Sequence, residues 1–437
     1  MASGNPKSVS IYSPAHPVPD AHRLFKERDA FALWFSLGMG LLTAQTGALM
    51  VPGLSLSHAL AAIALGTVFG ASLLALAGVI GADTGLAAMS SLRATLGERG
   101  ALLPTLVNVL QLLGWGSFEV IIMRDSFDAL SQQYLGFSSP LVWALLAGGV
   151  ATSVAVLGPL SFVRRFLAKW GIWLLFLAAA WLSYNLLAHK NLPAYLPALW
   201  RQAGTDSMSF GTAIDLVVAN ALSWLPLISD YTRFGRSPTQ MFRGTVCGFG
   251  IASLWFYTLG AAYALSAGAG AMLVSSLASA GGGLALLFIL LGEIDNAFAD
   301  IHSAAVSCGM LAKRCSVRRL SLGLGLLCVV MALGMPMARY QGFLVLIGSI
   351  FAPLFGVVLT DHFILRHRQP MRTELAARRW HGAALAAWLI GIVTYQLIYL
   401  CWPYVGASLP SLLISGLGCW VLGREVHVLP ANPRSRI

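Results

Sequence analysis

Charge is what this chain lacks. Only 10% of its 437 residues are Asp, Glu, Lys or Arg, against 57% hydrophobic ones, whereas a soluble domain carries about 25% charged residues. Mean hydropathy is +0.75. That excludes a soluble globular protein and points to an integral membrane protein whose surroundings are lipid. Cysteine is sparse as well. The six (Cys247, Cys308, Cys315, Cys328, Cys401 and Cys419) form no CxxC pair, so reduced structural thiols are expected rather than a disulfide framework or thiolate metal site. There is no HExxH, no GxSxG and no glycine loop followed by Lys-Ser/Thr, which are the signatures of metal hydrolysis, acyl transfer and phosphate binding. No interspan segment holds a soluble catalytic domain. Neither an enzyme nor a bound cofactor is expected.

What is present is length of apolar sequence. Twelve spans can be drawn, at about 31–52, 57–80, 101–126, 139–158, 169–188, 211–231, 245–268, 284–310, 320–335, 340–361, 382–401 and 404–423. The N-terminal stretch is polar, with Pro14, Pro17 and Pro19, and carries no cleavable signal peptide. Residues 1–30 read as a disordered cytoplasmic N-terminus, 31–424 as a single transmembrane domain and 425–437 as a cytoplasmic tail. The net charge of +11 invites a nucleic-acid reading, but its distribution argues against one. With the N-terminus inside, 24 of the 28 Lys and Arg fall on cytoplasmic segments. This is the positive-inside bias. The basic runs at 313–319 and 366–379 are then topology signals at an anionic leaflet, and no nucleic-acid partner is expected. The location read is the plasma (inner) membrane, multi-pass, both termini cytoplasmic.

The eighth span is the exception to the shortage of charge. Between Glu293 and His302 it holds Glu293, Asp295, Asn296, Asp300 and His302. Ionisable groups at bilayer depth are costly and usually mark a pathway, a relay or a binding site. At about 100° per residue, Glu293, Asn296 and Asp300 share one helical face. Asp295 and His302 share the opposite face, where an internal pairing is expected.

Two spans are interrupted. The first carries Gly38-Met39-Gly40 before Leu41, and the sixth carries Asn220 to Pro226 before Ser229-Asp230-Tyr231. Glycine and proline interrupt the hydrogen-bond ladder and free backbone groups. Such breaks five spans apart are the sequence pointer to an inverted repeat of five plus five helices, with substrate at midplane between half-helix ends. In the third span Trp115 and Glu119 stand four apart, so one face offers an indole and a carboxylate. That pair suits a flat heterocycle: the ring stacks on the indole and the carboxylate accepts from N–H. Trp224 offers a second stacking surface. Asp83 and Arg93 are expected to fix the loop after the second span, Asp230 and Arg233 to form a structural pair or gate, and Asp361-His362 to lie at the interface.

At these residues the chain resembles the nucleobase–cation symporter family, of the purine–cytosine permease type. The resembling stretches are Ile80 to Gly85 with Arg93 and Gly97, Asn108 to Trp115, Ser223 to Arg233, and Phe298 to Ala304. The Ser-Trp-Leu-Pro-Leu-Ile-Ser-Asp-Tyr-Thr-Arg run is the most specific. With Asn108 to Trp115 it is most like the hydroxymethylpyrimidine transporters of that family. The resemblance implies an all-α fold of about twelve transmembrane helices, a five-plus-five inverted repeat with discontinuous helices 1 and 6, two C-terminal helices, and alternating access. It implies stacking of the base between Trp115 and Trp224, with polar contacts from Glu119 and Asp300. Asn296 and Gln45 complete the expected substrate site.

Sodium-coupled members use carbonyls of the broken first helix and hydroxyls of the eighth. Here no Ser or Thr lies between Leu284 and His302. Cation coupling, by Na+ or H+, is therefore assigned to Asp295 with Gly38, Leu41 and Glu293. The expected function is import of a small heterocycle of the hydroxymethylpyrimidine or cytosine type, the alternative being a purine, allantoin or hydantoin permease. A membrane-embedded enzyme using Glu293, Asp295 and His302, and a channel or sensor of the same fold, are the competing classes.

Overall fold

In a computed structural model of the chain, residues 16–157, 172–188, 192–267, 283–311, 315–369 and 379–427, with Val274 and Leu277, are described. The expectations for residues 1–15 and 428–437 lie outside them. The helices are α1 (Glu27–Gly38), α2 (Leu41–Leu49), α3 (Leu56–Thr84), α4 (Ala88–Leu96), α5 (Leu102–Leu135), α6 (Pro140–Leu157), α7 (Ile172–Ala188) and α8 (Leu192–Arg201). Then follow α9 (Phe210–Ser223), α10 (Leu225–Thr232), α11 (Pro238–Ala267), α12 (Gly283–Leu311), α13 (Val317–Gly334), α14 (Tyr340–Leu359), α15 (Gly382–Cys401) and α16 (Ser408–His427).

Among the described residues these helices make twelve crossings. Eight stretches of the described residues are long and apolar enough to span a membrane. The other four differ for visible reasons. The first, α1 with α2, is broken. The fifth and twelfth, α7 and α16, are shorter apolar helices. The eighth, α12, carries Glu293, Asp295 and Asp300 along an otherwise apolar length. The sixth crossing is α9 followed by α10, and the tenth is α14 with a wider turn over Thr360–Leu365.

The helices pack reciprocally under exchange of crossing n with n + 5. The first crossing lies on the seventh as the sixth lies on the second, and the second and seventh also meet. The third packs on the eighth and the fourth on the ninth. The third and fourth pair as the eighth and ninth do. Two groups follow: crossings 1, 2, 6 and 7, and crossings 3, 4, 8 and 9. The last two helices, α15 and α16, pack on each other and on α14, as an addition to the repeat. Contact is closest where side chains vanish. A Cβ on Gly47 would overlap the Tyr257 carbonyl, and one on Gly260 the Ala44 carbonyl, so glycines at both places let α2 and α11 touch.

The two breaks are unequal. At the first, Met39 (φ −94°, ψ 77°) and Gly40 (φ −129°, ψ 154°) leave helical geometry altogether. At the second, Trp224 stays near helical values (φ −84°, ψ −15°), and the offset comes from Pro226, which has no N–H to give to the preceding turn. The sixth crossing is thus kinked rather than parted.

Residues 16–26, expected to be disordered, are packed. Val18 is buried and its amide donates to the Gly85 carbonyl (2.9 Å). Arg23 donates to the Ala82 carbonyl (2.9 Å), and Phe25 exchanges backbone bonds with Phe234 and Arg236 (2.8 and 2.9 Å). The segment straps the second crossing to the sixth at one end of the bundle. A polar network ties the same end to the tenth crossing. Asp83 accepts twice from Arg368 (2.6 and 2.9 Å) and lies 3.0 Å from His362 Nε2. The bond from Asp83 raises the Arg368 pKa, which keeps that pair charged. Asp361 accepts from Thr95 (2.7 Å) and Arg366 (2.9 Å). Asp361 and His362 are therefore buried among these partners, at 4% and 1% exposure. Asp83 is held by these distant partners rather than by Arg93.

Candidate functional site

Both breaks open onto one enclosed space. The first crossing lines it with Leu37, Gly40, Leu42 and Thr43, and the third with Trp115 and Glu119. The sixth adds Asn220, Ser223, Trp224 and Leu227, and the eighth Asn296 and Asp300. The space amounts to about 20 Å3 over the positions a water centre can take, enough for one water. The structure is closed on its own side chains, and a ring must displace some of them to enter.

The backbone groups freed at the breaks have named partners. The Leu41 amide, first of α2, donates to Glu293 Oε1. The Tyr340 hydroxyl of α14 braces the same turn, donating to the Leu42 carbonyl inside α2 (3.1 Å) and lying 3.1 Å from the Thr46 hydroxyl. At the other break the Gln111 amide donates to the Ser223 carbonyl (3.0 Å) and to Asn108 (2.9 Å). Each discontinuity is thus pinned by a side chain from another crossing, which is what a buried backbone group requires. Gly40 allows the close approach: a Cβ there would stand 3.3 Å from both Asn296 Nδ2 and Glu293 Oε1, and those side chains would have to give by a few tenths of an ångström.

Three carboxyls meet here without a base. Glu119, Glu293 and Asp300 are 3%, 0% and 4% exposed. Glu119 and Glu293 are within hydrogen-bonding reach of each other and of Asn296. Glu119 also feels the charge of Asp300. One oxygen of each glutamate, Oε2, has no hydrogen-bond partner, and neither has Trp115 Nε1. No Lys, Arg or His lines the space. Burying charge this way is costly unless it is offset, so a proton, a cation or a donor-rich ligand has a place to bind. Among the described residues no three His, Cys, Asp or Glu side chains are grouped to hold a metal ion.

The aromatic walls are braced from behind. Trp115 meets Tyr340 and Phe343 edge-on, with ring centroids 5.8 and 5.5 Å away. Trp224 meets Trp34 edge-on at 6.0 Å. Such T-shaped contacts fix the indole planes.

Of the residues singled out from sequence, the structure brings Trp115, Glu119, Trp224, Asn296 and Asp300 to the cavity, with Glu293 directly behind it at Leu41. Gln45 is not among the lining residues. It stands two positions after Thr43, about 200° round the helix. Gly38 faces α11, where a Cβ would meet Ala252 at 2.9 Å and Ser253 Oγ at 3.1 Å. The carboxylate at the first break is that of Glu293. Asp295 lies on the other side of α12, close enough to Tyr231 of α10 for its charge to act there. His302 turns to the Ala155 carbonyl of α6, so the internal pairing expected of Asp295 and His302 is not made. Asp230 accepts from the Ala88 amide (2.9 Å) and fixes α4 against α10. Asn220, Thr43, Gln111 and Tyr340 were not anticipated. Asn220 had a signal, standing four residues before Trp224 as Glu119 stands four after Trp115. Tyr340 had none, because its partners are nearly three hundred residues away.

A family model described as permease for cytosine/purines, uracil, thiamine and allantoin matches residues 17–408. The cytosine permease of Escherichia coli (strain K12) is 26% identical over 418 residues, covering 91% of this chain and 93% of that protein. The hydantoin permease of Microbacterium maritypicum is 23% identical over 416 residues, covering 88% and 84%. Among solved structures, that of Mhp1, a nucleobase-cation-symport-1 family transporter in a closed conformation with bromovinylhydantoin bound, superposes with a TM-score of 0.79. It shares 18% identity and covers 94% of this chain and 96% of that one, a likeness of fold.

Proposed function

The chain belongs to the family of permeases for cytosine/purines, uracil, thiamine and allantoin, and from that premise we propose that it is a secondary active transporter importing a nucleobase-like heterocycle with a cation, by alternating access. The ring is of the hydroxymethylpyrimidine or cytosine type; purine, allantoin or hydantoin is the alternative. One observation carries the reading. Two tryptophans, four amide- or carboxylate-bearing side chains and both helix breaks converge on a single enclosed space. Trp115 and Trp224 supply flat surfaces, while Glu119, Asn296, Asp300 and Asn220 fix orientation through hydrogen bonds. The cation, Na+ or H+, offsets the carboxyls and is coupled to the first break through Glu293 and Leu41. The excess of Lys and Arg on alternate loops supports an orientation with both termini on the cytoplasmic side.

The test is ligand-induced thermal stabilisation of the purified protein against aminopyrimidines, oxo-pyrimidines, purines and hydantoins, with Na+ present or replaced. A ligand at about one hundred times its Kd stabilises by roughly 2.7 kcal/mol. A shift confined to one ring class is expected, followed by saturable uptake of that ring into proteoliposomes. No shift with any heterocycle would remove this reading.

A further inference from the structure

We propose that the ring is bound as an amidinium: a heterocycle whose ring nitrogen stands beside an exocyclic amino group, protonated and paired through both N–H groups with the Glu119 carboxylate. The proposal deepens the transport reading and rests on it. Four observations lead there. Glu119 lines the cavity, and its Oε2 is buried without a partner. The titratable and polar groups around it are acidic or neutral: Glu293, Asn296 and Asp300 from α12, Tyr340 from α14 and Asn220 from α9. The first crossing contributes no charged side chain to the lining. One turn before Glu119, Trp115 offers its ring face and a free Nε1–H, suited to a carbonyl or hydroxyl substituent.

A carboxylate presents two acceptors in one plane, and an amidinium presents two donors at matching spacing. That is the fork by which guanidinium groups recognise carboxylates, and charge assistance makes such bonds about twice as strong as neutral ones. A lactam edge offers one N–H beside a carbonyl, and the carbonyl would then face carboxylate oxygen. The site therefore selects amino over oxo rings. The proton comes from solution, sits between the ring nitrogen and Glu119, and travels with each ring. The only covalent change is the N–H bond formed at the ring nitrogen as hydronium gives up its proton, reversed when the ring is released.

Isothermal titration of the purified full chain tests this, with cytosine, its less basic fluorinated derivative, unsubstituted aminopyrimidine, uracil and hydantoin as probes across a pH series. Affinity should rise with ring basicity among the amino rings. It should weaken about tenfold per pH unit once both partners are deprotonated, as one linked proton requires. Glu119→Gln keeps an amide that can pair with either ring, so it should remove the basicity and pH dependence. The preference for cytosine over uracil should fall by roughly tenfold to a hundredfold, the range for one good bidentate pair. Because the basicity series uses the native chain, the test survives a poorly folded variant. Uracil or hydantoin binding as tightly as the amino rings, or affinity indifferent to ring basicity, overturns the amidinium while leaving a heterocycle transporter. Absence of binding by every probe overturns both.

Discussion

Single residues divide into those that touch the cavity and those that hold the frame around it. Asp215 belongs to the second kind. Its two oxygens accept from the Ala407 and Ser408 amides (2.6 and 2.8 Å) and so cap α16 at its positive end. Asp215→Ala and Asp215→Asn should both lower stability by about 1–2 kcal/mol, since the asparagine turns a donor toward one amide. Thermal unfolding without ligand would show it, and equal stability of the asparagine variant and the native protein would refute the capping role. What sequence could convey at this scale followed local spacing. Trp115 with Glu119, and Glu293 with Asn296 and Asp300, were readable because helical periodicity alone puts them together. Which carboxylate of α12 reaches the first break was not readable. Glu293 and Asp295 are two residues apart, and the choice depends on how α12 is rotated against α2, which local sequence does not encode.

At the scale of the element, the broken helices were legible from Gly40 and Pro226, but their difference was not. A glycine can leave the helix or continue it, and only the partners decide. Here Glu293 and Gln111 take up the freed Leu41 amide and Ser223 carbonyl. Close helix contact is the other element-scale feature. Gly47→Ala should force α2 away from α11, because the added carbon collides with backbone. Overpacking of this kind costs about 1–3 kcal/mol or more. Gly250→Ala is the control: its Cβ would meet only Ala71, at an ordinary 3.7 Å. The first variant should lose thermal stability and the second should not, and similar melting of the two would refute the account.

For the whole molecule, the reciprocal packing defines two groups of helices with the cavity between them, and alternating access requires them to move relative to each other. The tie from Asp83 to His362 and Arg368 fastens the tenth crossing, which belongs to neither group, to the second, and opposes its movement away at that end. Arg368 is half exposed, so screening reduces its share; the buried arm to His362 counts for more. Asp83→Asn should weaken closure by about 1 kcal/mol, a factor of about five in population. Maleimide labelling of a Thr232→Cys reporter, buried near that end, should then quicken by a similar factor. An unchanged rate would show that the tie does not limit opening. Twelve crossings and the repeat were legible in hydropathy and the paired breaks. The strap of residues 16–26 was not, because a short polar segment takes its conformation from the surface on which it lies.

The link between Leu41 and Glu293 joins residues 252 positions apart, and that distance bears on how the protein is made. At about 5–20 residues per second, on the order of tens of seconds separate synthesis of the two partners. For that interval the gap in the first helix has no carboxylate to satisfy it, and Glu119 has no companion on the eighth. The seven crossings made before α12 hold the Leu41 amide without its carboxylate until α12 is synthesised. Biogenesis, as well as transport, is then exposed to mutation of Glu293, and quantifying inserted chain beside uptake separates the two.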